Sequence, residues 1–423
     1  MDILIAGGGL AGLSAAAALA SSGHRVRVLE ARPYLGGRAA SYESSGEIID
    51  NCQHILLRCC INLLDFYRRL GVEGDIAFHK EFTFIEPGGR RSVLRRSLWS
   101  FLALPFLGLG DKLAIARGLA AIARESPGQS KAPRDLDSIT MQAWLEEKRQ
   151  PPRAIERFWR QVLVSAISEE LDRMAACHGF QVFRLGFLAS PDAHEFGVPT
   201  VPLGQLYSMD VWRRFPTVEI LPRTAAQGFR LCNGEVASLE TSAGELRADA
   251  YICAVPFERV AALGVPIDTS GFEYSPITGI HLWFDRPIAD VPHATLLDRT
   301  IQWMFNKSEG RYIQIVVSAS RSLVEMPRGE VIDLAVRELG EFFPAAREAK
   351  LEKAHVVKEV RAVFSAQPGL ETRRPASRTN IKNLFLAGDW TRSGWPATME
   401  SAVRSGYLAA EAITGTKFLL PDP

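Results

Sequence analysis

Three short runs in this 423-residue chain carry residue types that could grip a nucleotide. The first is Gly7-x-Gly9-x-x-Gly12, with Ala11 inside it. Its glycines permit a tight turn, close approach of a pyrophosphate and packing of a helix on a strand, with the phosphates at the helix N-terminus. Glu30 follows about twenty residues on, where an acid binds adenosine ribose hydroxyls and repels a 2′-phosphate. The second run, Leu35-Gly36-Gly37-Arg38 with Arg32 just ahead of it, is a glycine doublet between arginines, the pattern of a second loop that wraps the pyrophosphate of FAD rather than NAD. Taken singly, Arg32 and Arg38 also read as surface cations. In the third run, Gly388-Asp389, the carboxylate is placed to accept from ribityl hydroxyls. The free N–H groups of a helix opening at Thr398 and Met399 would face flavin N1 and its neighbouring carbonyl. The two ends of the chain thus carry matching halves of one FAD site.

These residues need elements to hold them. Residues 3–6 form an apolar run ahead of the glycine turn, an Ala-rich helical stretch continues to Ser22 and Gly23, and residues 25–30 alternate with period two and end on Glu30. This is a βαβ opening. Residues 82–85 and 91–94 flank Pro87-Gly88-Gly89 and predict a hairpin. Residues 98–185 are mainly helical, residues 218–256 return to β-like runs, and residues 275–284 and 302–318 are β-rich with aromatics. Residues 331–343 and 346–352 predict amphipathic helices, residues 383–387 a last strand and residues 397–413 a last helix. Residues 126–133 read as a surface loop.

Lys and Arg total 49 against 48 for Asp and Glu, so no global field favours nucleic acid. The six cysteines show no C-x-x-C spacing, which excludes the usual zinc sites and fits a reducing, cytoplasmic compartment. No metal is expected. The most apolar stretch, residues 98–110, falls well short of the roughly 20 residues needed to cross a bilayer and is broken by Pro105 and Gly108. It follows Arg90, Arg91, Arg95 and Arg96, and two readings stay open for residues 98–109: contact with an anionic membrane surface, or the lining of a substrate tunnel.

Across nearly its whole length the chain resembles the flavin amine oxidase, protoporphyrinogen oxidase and carotenoid desaturase superfamily. Three stretches are similar to one bacterial branch: Asp50-Asn51-Cys52-Gln53-His54, Gln302-Trp303-Met304-Phe305, and the run LAGDWTRSGWPATMESAVRSG from Leu386. That branch is the squalene-associated FAD-dependent desaturases, or hydroxysqualene dehydroxylases, of hopanoid biosynthesis. The resemblance implies an α/β fold in which a Rossmann-like, glutathione-reductase-type FAD-binding domain (residues 1–75, 205–262 and 375–423) interleaves with a mixed α+β substrate domain (residues 76–204 and 263–374). It also implies an apolar isoprenoid substrate. The chain departs from the family where Cys52 and Ser401 replace glycines.

On that resemblance, reduced flavin would deliver hydride to an allylic carbon of hydroxysqualene as the hydroxyl leaves, with His54 as proton donor, Gln53 beside it, and Trp303, Trp390 and Trp395 shaping the pocket. An oxidative carotenoid or squalene desaturase is the alternative. An amine oxidase stands behind it, because no lysine lies between Lys148 and Lys307, where the lysine that holds water at flavin N5 is expected near residues 279–284. An isoprenoid-binding escort on the same fold is the non-enzyme reading. None of the cysteines stands in the Ser-Gly-Gly-Cys-Tyr context of covalent attachment, so FAD is expected to be released on denaturation. A second Gly-x-Gly-x-x-Gly is absent, which leaves the electron donor open.

Overall fold

The computed structural model describes residues 1–44, 46–95, 97–125 and 134–423; the loop expected at residues 126–133 and the expected contact of Arg96 lie outside them. Three distant parts of the chain meet in a five-stranded parallel sheet, ordered Val218–Pro222, Arg25–Glu30, Asp2–Ala6, Ala250–Cys253, Leu384–Leu386. Its central strand is Asp2–Ala6, where Ile3, Leu4, Ile5 and Ala6 are wholly buried, as a parallel sheet covered on both faces requires. The Ala-rich helix Leu10–Ser21 returns the chain to the second strand. Its small side chains let the last helix, Met399–Thr414, come almost to backbone contact. A Cβ on Gly406 would lie 2.1 Å from Ser14 Oγ and 2.3 Å from the Ala11 carbonyl. The Ser14 hydroxyl donates across the gap to the Val403 carbonyl at 3.2 Å.

A second, seven-stranded sheet runs in the order Leu351–Phe364, Tyr274–Phe284, Tyr312–Ser318, Trp303–Ser308, His293–Leu296, Phe82–Ile85, Arg91–Leu94. All neighbours are antiparallel except His293–Leu296 with Phe82–Ile85, and the expected hairpin of residues 82–94 is present, with Phe82 opposite Leu94. Because side chains alternate between faces, Ile280, Leu282, Met304, Ile313 and Ile315 pack together in one core on one side. On the other side Ile277, Trp303, Phe305, Val316 and Ser318 line a cavity. Helices including Leu109–Glu125, Met141–Glu147 and Ala176–Phe183 fill the region after the hairpin.

One expectation is corrected here. Residues 346–352 are not a helix: a short turn, Pro344–Arg347, leads into Leu351–Phe364, a 14-residue strand paired along Tyr274–Phe284. Its Glu, Lys and Ala residues favour a helix, but pairing with a long neighbour overrides that preference. Of the apolar stretch left open between membrane and tunnel, the described residues 99–109 supply none of the cavity lining. The stretch divides instead. Leu104, Phe106 and Leu107 are buried in the core, while Trp99 is 80% and Leu109 75% exposed, beside exposed Leu102 and Leu113. Among the described residues no helix is long and apolar enough to cross a membrane.

Candidate functional site

The cleft opens at the carboxyl ends of the parallel strands, where open α/β sheets bind their ligands. Gly7 follows the first strand with φ +119°, and a Cβ there would meet the Ala254 carbonyl oxygen at 2.5 Å. Gly12 lies under the turn, its Cβ position 2.0 Å from the Gly7 oxygen, so it packs helix on strand and is not on the cleft wall. Over Gly9 there is room, the nearest atom to a Cβ being Gly37 Cα at 3.8 Å. Gly9 caps the helix with no side-chain acceptor, which leaves first-turn N–H groups for an anion. Glu30 is fixed at its strand end by the Gly8 N–H at 2.9 Å and the Arg32 N–H at 2.8 Å. Arg32 itself is exposed and rests near Tyr34.

Arg38 and Asp389, 351 positions apart, form an ion pair at 2.6 Å, and Arg38 also donates to the Ala362 carbonyl at 2.7 Å. This pair joins the two halves of the cleft. Gly388 takes φ +148°, with Trp390 Nε1 only 2.4 Å from its Cβ position, so no side chain fits there. Thr398 caps the last helix by accepting from Ser401 N–H at 3.1 Å. Ser401 is buried and donates to the Asp389 carbonyl at 3.1 Å, which ties the start of the last helix to the Gly388-Asp389 turn.

The cleft runs on to the second sheet, and the two together form one cavity of about 700 Å³. Every residue expected from sequence to act here, other than Gly12, is on its wall: Gly7, Gly9, Ala11, Glu30, Arg32, Gly37, Arg38, Gln53, His54, Trp303, Gly388, Asp389, Trp390, Trp395, Thr398 and Met399. Each tryptophan is held by its indole N–H: Trp390 to the Val255 carbonyl at 3.0 Å, Trp395 to Asp422 at 3.0 Å and Trp303 to Ser165 Oγ at 2.8 Å. Trp303 stacks on Phe305 at 5.8 Å, and Phe82 and Phe84 share that wall.

The cavity has a polar corner, built on Asp50. That buried carboxylate accepts from Ser41 Oγ at 2.6 Å and Leu203 N–H at 3.0 Å, which pins the turn into Asn51, Cys52, Gln53 and His54. Gly279, on the strand where an amine oxidase's lysine is expected, abuts this turn, its Cβ position 2.8 Å from the Asn51 oxygen. The backbone leaves no room for a side chain there. Burial pushes the Cys52 thiol up to about 12, so Cys52 is a neutral wall residue. His54 Nδ1 donates to the Cys52 carbonyl at 2.9 Å, which leaves Nε2 as the acceptor. Burial lowers the pKa of His54, against the Cys52 carbonyl and Asp50, so the ring is neutral at neutral pH rather than poised there.

Two residues escaped the sequence reading. Lys307 donates to Gln53 Oε1 at 2.9 Å and lies 3.9 Å from Asp50; burial lowers its pKa and Asp50 opposes this. The signal was the alternation Trp303, Phe305, Lys307 on one strand face. Glu400, in the first turn of the last helix, accepts from the Leu63 N–H at 2.7 Å and Asn62 Nδ2 at 2.8 Å, capping the helix Ile61–Leu70. Burial raises its pKa to about 7. Cys59 and Cys60 immediately precede that helix and lie on the cavity wall.

The model of the flavin containing amine oxidoreductase family matches residues 10–190 and 212–414. The chain is 27% identical to a chloroplastic/chromoplastic 15-cis-phytoene desaturase of an Oncidium hybrid cultivar, over 98% of this chain and 78% of that protein. It is 26% identical to the zeta-carotene desaturase of Zea mays, over 98% and 84% of the two chains. The solved structure of a putrescine oxidase bound to putrescine superposes with a TM-score of 0.77 at 15% identity, covering 98% of this chain and 99% of that one, a likeness of fold.

Proposed function

Because the chain belongs to the flavin containing amine oxidoreductase family, whose cofactor is FAD, we propose that it reductively dehydroxylates hydroxysqualene to squalene. The cleft fits that cofactor: the open cradle over Gly9 and Gly37 suits a pyrophosphate, Glu30 a ribose and Asp389 a ribityl chain. When bound, FAD supplies hydride exchange at its N5 atom. The observation that carries the reading is a largely apolar, aromatic chamber, with a polar corner at Gln53 and His54, continuous with the cofactor cleft.

The chemistry asks two things of the chain. Hydroxide is a poor leaving group, so the oxygen must take a proton and depart as water, while the carbon takes the hydride. His54 is the candidate donor, and since burial holds it neutral it must first be protonated. The allylic centre gains positive character as the oxygen leaves, and the faces of Trp303 and Phe305 can stabilise it in a dry chamber. Gly279, with no space for a lysine, weighs against amine oxidation. Oxidative desaturation is supported by the phytoene and zeta-carotene desaturase relatives. Reduced protein incubated anaerobically with hydroxysqualene, and oxidised protein with a polyene hydrocarbon, should separate the two, with squalene formed in the first and no new double bond in the second.

Access for so apolar a substrate is best served at a membrane on the cytoplasmic side. Trp99, Leu102, Leu109 and Leu113 are the candidate contacts. Arg90, Arg91 and Arg95 are already paired with Glu86, Asp290 and Glu81, so apolar insertion rather than headgroup charge would dominate.

A further inference from the structure

Gln53 is on the cavity wall and Lys307 is not, yet the two are joined by a 2.9 Å hydrogen bond. An ammonium has three donors and no acceptor, so only the carbonyl end of the Gln53 amide can face it. The amide Nε2 is thereby turned the other way. Its hydrogen bond within the protein is a long one, 3.4 Å to the carbonyl of the adjacent His54. On the neighbouring residue, His54 Nδ1 is spent on the Cys52 carbonyl at 2.9 Å, which leaves Nε2 an acceptor in the neutral ring that first meets the substrate, before the protonation that the reaction requires. The polar corner therefore offers one oriented donor and one oriented acceptor, next to the stacked rings of Trp303 and Phe305, whose strand also carries Lys307. A hydroxyl group is both acceptor and donor, and matches that pair with its one oxygen.

We propose that Lys307 is a positioning residue that locks Gln53 as a hydrogen-bond donor, so that Gln53 and His54 together select a hydroxylated isoprenoid over the hydrocarbon of the same skeleton. The inference rests on the isoprenoid reading above and sharpens it to an oxygen-recognition site. A hydrocarbon in this chamber leaves the buried Gln53 Nε2 with only its long bond to the His54 carbonyl and the His54 Nε2 with no donor from the ligand, and that is what a site built for a hydroxyl rejects. Reversal of the amide would present a second acceptor beside His54 Nε2 and remove the match.

The test uses oxidised holoenzyme, which holds no hydride to give and so binds without turnover. Dissociation constants for hydroxysqualene and squalene are read from the shift of the flavin absorbance. The wild type should prefer the alcohol by at least about 10-fold, the worth of one to two hydrogen bonds. Lys307→Met should bring the ratio close to one with squalene affinity unchanged, and Lys307→Arg should restore most of it. Gln53→Leu, which needs no change at Lys307, should also abolish the preference and carries the test if Lys307→Met does not fold. A preference that survives in Lys307→Met or Gln53→Leu overturns the proposal, and so does a wild type that binds the two ligands equally. A wild type that binds neither ligand overturns the isoprenoid reading itself, and the inference with it.

Discussion

The two walls of the cavity are built by opposite means. The cofactor wall is made by backbone: Gly7, Gly37 and Gly388 take conformations or approaches that a Cβ would forbid, Gly9 leaves open space over the turn, and two helix N-termini supply N–H groups. The substrate wall is made by side chains, with Trp303, Phe305, Phe82 and Phe84 on alternate positions of strands that pair far apart in the chain. A backbone site fails all at once when one glycine gains a side chain, whereas a side-chain site can be trimmed residue by residue with the cofactor still in place.

The largest effect is therefore expected on the cofactor wall. Gly9→Leu or Asp389→Ala should give folded but colourless protein, at least about 100-fold weaker in FAD binding, as read by absorbance after gel filtration. Full flavin occupancy in both would show that neither the glycine turn nor the Asp389 carboxylate holds the cofactor. On the substrate wall, His54→Ala should stay yellow and convert hydroxysqualene at least roughly 100-fold more slowly in a single turnover. In the wild type that rate should rise as pH falls below 6.5, because burial has lowered the His54 pKa and more of it becomes protonated only there. A pH-independent rate would remove His54 as the donor.

The two regions also carry opposite pH signatures. Buried His178 and His293, on the helix Ala176–Phe183 and in the seven-stranded sheet, have pKa values lowered by burial from 6.5 to about 4. Their contribution to stability is complete above pH 6.5 and is lost as pH falls through about 4, worth about 3 kcal/mol for fully buried His178. Glu400, against the cofactor half, is raised by burial from 4.5 to about 7, so its contribution is complete below pH 4.5 and is lost as pH rises through about 7. Thermal melts of His178→Gln should flatten the acid limb, and those of Glu400→Gln the limb between pH 4.5 and 7. Unchanged limbs would show that these groups titrate alike in the folded and unfolded chain. The smallest effect is expected at the surface: replacing Trp99, Leu102, Leu109 and Leu113 by Ser should reduce flotation with vesicles and leave flavin content untouched.

The same contrast explains what could be read without coordinates. The cofactor cleft is legible because its residues are contiguous and each glycine answers to a local backbone demand. The βαβ opening, the hairpin of residues 82–94 and the last strand and helix follow from period and turn residues alone. The pairing of Lys307 with Gln53 is not local: it depends on Trp303–Ser308 lying across from a turn 254 residues earlier. Leu351–Phe364 was hidden for the related reason that its helix-forming residues become a strand only against Tyr274–Phe284. The split of residues 98–109 between core and surface likewise depends on neighbours that no window of sequence contains.

If the chamber brings an allylic alcohol to the flavin for reduction, as we propose, the transferred hydride can be traced. Holoenzyme reduced anaerobically in D2O and mixed with hydroxysqualene should regain its yellow colour as squalene forms, with one deuterium per molecule at the carbon that bore the hydroxyl. Recovery of unchanged hydroxysqualene from protein that stays bleached, or squalene without deuterium, would contradict the account.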